Sequence, residues 1–191
     1  MVELHPPFAD DLPVTRAAIA YARECHAAQT REVDAAPFIL HPIEVAMLLH
    51  GRGYDDEVVA AGALHDVVEK TSATVDDLAA RFGTRVASLV AAVSDPPGIV
   101  DYTARKAGLR DQVALASPDA QAIYAADKLA KARELRALAT RLHVSVTDPA
   151  LRERLEHYES SLETLDGVLP GMPLVTQLRF ELWAIRQLPP G

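Results

Sequence analysis

At 191 residues, with 49% hydrophobic and 24% charged, the chain is the size of one ordinary domain and too apolar to be disordered. It has no run of about 18 apolar residues and so implies no membrane span, and its first residues, MVELHPPFADDLP, lack the basic-then-apolar order of a signal peptide. A net charge of −8 with no basic face argues against a nucleic-acid binder, and the single cysteine, Cys25, leaves no intrachain disulfide, which fits a cytoplasmic protein.

In chain order, apolar residues three and four apart recur in Ala-, Leu- and Arg-rich stretches, with no period-2 strand signal. The pattern predicts helices near 14–29, 41–52, 55–69, 75–82, 84–93, 101–116, 118–141, 149–165 and 173–187. The expected fold is therefore all-α, one domain over 1–191, with a core at about 14–141 and a C-terminal helical extension at about 149–187. Local chemistry marks several boundaries. Pro42 follows His41 at a helix start, Asp55 or Asp56 can cap the third helix, and Thr74-Val75-Asp76-Asp77 has the form of a capping box, with Gly83 ending that helix. Ser117-Pro118 and Asp148-Pro149 are cap-then-proline starts. Two loops interrupt the helices, at 30–40 before His41 and at 94–100 (SDPPGIV).

The residues able to do chemistry are sparse. Among seven histidines (His5, His26, His41, His50, His65, His143 and His157), two have useful company. His65-Asp66 follows an Ala-rich apolar face, so both should be near the core, where a divalent cation would satisfy two groups that are costly to bury alone. With His41 and Asp127 they form a set of two imidazoles and two carboxylates, which suits Mn²⁺, Fe²⁺ or Zn²⁺ better than Ca²⁺ or Mg²⁺. Blander readings stand beside these: a helix-end surface pair for His65-Asp66, and an ion pair with Lys131 at i+4 for Asp127. Cys25 reads as a small core residue, no serine sits in a nucleophile elbow, and Gly51-Arg52-Gly53 is a helix end, not a phosphate loop.

The segments PFILHP (37–42), ALHDVVEKT (63–71), DDLAARFGTRVASLVAAVSD (76–95), ARKAGLRDQV (104–113) and YAADKLAKARELR (124–136) resemble, in order and spacing, the hydrolase domain of the RelA/SpoT-homologue family. The likeness is to its small single-domain alarmone hydrolases within the HD superfamily. It implies an HD-type bundle of about ten helices and one Mn²⁺ held by His41, His65, Asp66 and Asp127. The implied reaction is hydrolysis of the 3′-pyrophosphate of guanosine tetra- or pentaphosphate, with NADPH or adenosine alarmones as the substrates of some relatives. Glu69, four residues after His65, would assist proton transfer. Arg31, Arg105, Lys106, Lys128 and Lys131 are the expected substrate contacts. Three positions depart from the family. Lys70 stands where a second carboxylate is usual, Lys131 where Asn is common, and Phe38 where Tyr is usual. Lys70 beside the catalytic Glu69 leaves three readings: an alarmone hydrolase, a hydrolase of another nucleotide, or a nucleotide-binding module with weakened catalysis. The partner in each is a small phosphorylated nucleotide, with self-association left open.

Overall fold

The computed structural model describes residues 6–142 and 148–188. Among these, a 3₁₀ turn, Pro7–Ala9, precedes ten α-helices: α1 (Pro13–Cys25), α2 (Leu40–His50), α3 (Asp56–Leu64), α4 (Val67–Lys70), α5 (Val75–Phe82), α6 (Thr84–Val93), α7 (Tyr102–Ala114), α8 (Pro118–Leu142), α9 (Pro149–Val168) and α10 (Pro173–Arg186). The all-α reading holds; the described residues contain one isolated bridge, Thr30 with Pro37, in the loop before α2.

The adjacent aspartates before α3 divide the capping work. Asp55 accepts from Val58 N at 3.0 Å and caps α3. Asp56 reaches the start of α1, accepting from Val14 N at 2.9 Å, Thr15 N at 2.8 Å and Thr15 Oγ1 at 2.7 Å. Orphan amides of one helix are thereby met from the first turn of another. Thr74 and Asp77 form the reciprocal capping box, and Gly83, at φ 88°, separates α5 from α6.

Two helix ends depart most from the expected ones. The first stops at Cys25 instead of 29; His26 caps it through its backbone N–H, which donates to Ala22 O, while its ring Nδ1 lies 2.9 Å from Gln29 Oε1. Cys25 itself is half-buried against the core. The third, expected over 55–69, divides at His65-Asp66 into α3 and α4. At the break His65 Nδ1 turns back to Gly62 O at 2.8 Å, and both side chains are buried.

Every residue of α3 from Val58 to Leu64 is buried, so this helix is apolar all round and sits at the centre. It packs against α1, α2, α6 and α8. Gly62 allows the close approach of α2, since a Cβ there would lie 2.5 Å from Leu49 Cδ1. The long α8 also carries α9 and α10, whose Leu155, Leu165, Leu174, Leu178 and Ile185 are fully buried in the same apolar cluster.

Candidate metal centre and cavity

His41 projects from the first turn of α2, His65 and Asp66 from the break between α3 and α4, and Asp127 from the middle of α8. All four are buried. His41 Nε2 and His65 Nε2 are 3.3 Å apart, and Asp127 Oδ1 lies 3.1 Å from the first and 3.3 Å from the second. Asp66 Oδ2 is 3.8 and 3.4 Å from the same two nitrogens and has no hydrogen-bond donor. His65 Nδ1 faces the Gly62 carbonyl, which leaves its Nε2 turned to the cluster; His41 Nδ1 faces Glu134 Oε1 at 3.3 Å.

The buried carboxylates are kept ionised by the cations around them. Burial alone would raise both aspartates, but Lys131 and His65 beside Asp66, and Lys128 and Lys131 beside Asp127, hold them well below the usual carboxylate range. Burial opposes charge on His65, yet Asp66 and Asp127 outweigh it and lift its pKa to about 10. Converging imidazole nitrogens, two ionised carboxylates and an orphaned buried oxygen fit a divalent transition ion. The i+4 pair of Lys131 with Asp127 is present too, at 2.8 Å, so both readings of Asp127 hold at once.

A cavity of about 1000 Å³ adjoins the cluster through Lys128 and Lys131, which bond Asp127 and line it, while none of the four cluster residues is in its wall. Arg31, Glu69, Lys70, Arg105, Lys106, Lys128 and Lys131, all singled out in the sequence, line it. Their present partners differ. Arg31 pairs with Asp34 and with Glu134. Arg105 Nε and Lys106 Nζ hold Asp95 at 2.9 and 2.8 Å, and Glu69 Oε1 accepts from the backbone N of Asp95 at 2.6 Å. Lys70 Nζ sits 5.4 Å over the Phe38 ring, and Lys128 Nζ bonds Asp127 Oδ2 at 2.8 Å.

Several residues of the site went unnoticed in the sequence. Glu134 follows Asp127 and Lys131 at i, i+4, i+7 spacing on α8, a signal that was readable. Arg154, His157 and Tyr158 reach the cavity from α9, and no local pattern points to them. His157 Nδ1 is 3.1 Å from Arg110 Nη1; burial, then Lys128 and Arg110, push its pKa down to about 2, so it is neutral. The remaining histidines are structural where described: His26 packs on Phe38 and His50 stacks on Phe8. His5 and His143 lie outside the described residues.

Residues 18–149, a span holding all four cluster residues, match the family model of the HD domain. The chain belongs to the HD domain family. Within that family, this HD domain is 44% identical over 77 residues to a probable guanosine-3′,5′-bis(diphosphate) 3′-pyrophosphohydrolase of Synechocystis, covering 40% of this chain and 10% of that protein. It is 42% identical over 85 residues to the bifunctional (p)ppGpp synthase/hydrolase SpoT of Escherichia coli K12, covering 44% and 12%. The HD domain thus spans a small fraction of these long relatives. With the mouse guanosine-3′,5′-bis(diphosphate) 3′-pyrophosphohydrolase MESH1 it shares 38% identity over 118 residues, covering 60% of this chain and 65% of the relative. A solved structure of a metazoan ortholog of SpoT that hydrolyzes ppGpp superposes with a TM-score of 0.77 at 27% identity, covering 92% of this chain and 97% of the other. No helix among the described residues is long and apolar enough to cross a membrane.

Proposed function

We propose that this HD domain is a Mn²⁺-dependent 3′-pyrophosphohydrolase of guanosine tetra- and pentaphosphate, releasing GDP or GTP and pyrophosphate. The observation that carries the reading is a buried cluster of His41, His65 and Asp127, with Asp66 3.8 and 3.4 Å from the two imidazoles, joined through Lys128 and Lys131 to a cavity of nucleotide size. The names of the relatives supply the substrate. When bound, a divalent ion in the cluster supplies Lewis acidity, which activates water near neutral pH and offsets phosphate charge.

The chain's own residues supply the rest. His41 and His65 present Nε2; the Gly62 carbonyl orients His65, and the Glu134 carboxylate lies 3.3 Å from His41 Nδ1. Lys128, Arg105 and Lys106 face phosphate from two helices. Glu69 takes the proton from water as the bond between the 3′ oxygen and the first phosphorus breaks. That phosphorus gains the water oxygen, and the 3′ oxygen leaves with a proton. Lys70, over Phe38, adds a positive charge where the family has a second carboxylate, so Glu69 acts alone in this role. The chain works as one domain, with α9 completing the cavity wall through Arg154, His157 and Tyr158.

The test is product release from purified protein with Mn²⁺ over ppGpp, pppGpp, ppApp and NADPH. Pyrophosphate from the guanosine compounds, lost with a chelator and restored by Mn²⁺, is the expected result. Turnover of NADPH or ppApp alone would reassign the substrate, as Lys70 and Lys131 would then explain. Tight binding without turnover would make the chain a nucleotide-binding module.

A further inference from the structure

Asp127 Oδ1 is the oxygen that faces both imidazoles, at 3.1 and 3.3 Å. The same oxygen lies 2.8 Å from Lys131 Nζ, while its sister Oδ2 accepts from Lys128 Nζ at 2.8 Å. One carboxylate is therefore held by two ammonium groups and offered to two histidines. The two lysines are not equivalent. The Lys128 side chain is 4% exposed and its Nζ packs 4.5 Å over the Tyr124 ring, so it is anchored. The Lys131 side chain is 26% exposed and lines the cavity, so its ammonium can leave Asp127 and still find partners there. Its charge also acts on Asp66, the second carboxylate of the cluster.

An ion among His41, His65 and Asp127 would stand one carboxylate oxygen away from that ammonium. Two cations sharing an oxygen repel, and the enclosed setting screens the repulsion weakly. A phosphate chain in the cavity offers Lys131 several anionic oxygens and no competing imidazole, and a lysine head on a flexible stem can move to them.

We propose that Lys131 couples cation binding to nucleotide binding: in the free protein it weakens the hold of the cluster on a divalent ion, and a phosphorylated nucleotide draws it off Asp127 and strengthens that hold. By linkage, the ion strengthens nucleotide binding by the same factor. This rests on the function proposed above, namely that the cluster holds an ion and the cavity takes a nucleotide.

The experiment is Mn²⁺ titration of the intact protein and of its Lys131→Met and Lys131→Arg variants, reading free Mn²⁺ by electron paramagnetic resonance. Each titration is run with and without GDP, whose own Mn²⁺ complex is subtracted from a protein-free blank. Without GDP, K131M should bind Mn²⁺ about tenfold or more tightly than the unmodified chain, and K131R should resemble the unmodified chain. GDP should tighten Mn²⁺ binding by the unmodified chain and K131R but leave K131M unchanged. Equal affinities in the unmodified chain and K131M, or the same GDP effect in both, would overturn the coupling while leaving the metal centre intact. A His65→Ala control that binds Mn²⁺ as well as the unmodified chain would instead overturn the metal centre, and the coupling with it.

Discussion

His65 divides its work between its two ring nitrogens: Nδ1 is occupied by Gly62 O, and Nε2 is thereby aimed at Asp66 and Asp127. His41 differs: the Glu134 carboxylate lies 3.3 Å from its Nδ1 as a neighbouring charge, without a hydrogen bond. Glu134→Gln keeps the shape and removes the charge, and metal affinity should fall about 10–100-fold; calorimetric Mn²⁺ titration checks it. His157 offers a different prediction, for stability. Burial and then Lys128 and Arg110 hold its pKa near 2, against about 6.5 in an unfolded chain. Between those values the unfolded state binds the extra proton, so stability rises with pH across the window and is lost as pH falls below about 6.5. His157→Gln should flatten the fall in urea midpoint between about pH 6.5 and 4.5. An unchanged slope would mean that other groups carry the acid sensitivity.

At the scale of helices, the contact of α2 with α3 turns on Gly62. A Cβ there meets Leu49 Cδ1 at 2.5 Å and Val45 Cγ1 at 3.4 Å, and Leu49 and Val45 are fully buried. Gly62→Ala should cost about 1–3 kcal/mol in chemical denaturation, as overpacking does. It should also lower metal affinity, because the Gly62 carbonyl orients His65. Boundaries with their own chemistry were legible in the sequence: Pro118, the Thr74–Asp77 box and Asp55 all act where expected. The break at His65-Asp66 was not. Apolar residues flank it on both sides, Ala63-Leu64 and Val67-Val68, so the stretch reads as one helix, and what bends the chain is the tertiary demand to turn an imidazole and a carboxylate toward α2 and α8. The cluster was legible because all four ligand candidates lie in short motifs. Arg154, His157 and Tyr158 were not, because they meet the cavity only after α9 folds back over α7 and α8.

For the whole molecule, the net charge of −8 and the cavity are reconciled by locality, since Arg31, Lys70, Arg105, Lys106, Lys128, Lys131 and Arg154 outnumber the acidic Glu32, Glu69, Asp95 and Glu134 in its lining. The C-terminal helices are part of that economy. Leu155, Leu165, Leu174, Leu178 and Ile185 are fully buried, and each such side chain contributes about 1.5–3 kcal/mol. Together they rival the about 5–15 kcal/mol that holds a typical domain folded. Removing residues 148–191 should therefore abolish cooperative thermal unfolding, seen by calorimetry, as well as nucleotide binding. A truncated chain that melts cooperatively and only fails to bind would assign α9 and α10 to the site alone. Finally, Asp127, Lys131 and Glu134 share one stripe of α8. A single-codon insertion between Pro118 and Ala126 would turn that stripe by about 100° and remove all three from the site at once. In the currency of inheritance, this helix can drift letter by letter through substitutions, but its length is a frozen character.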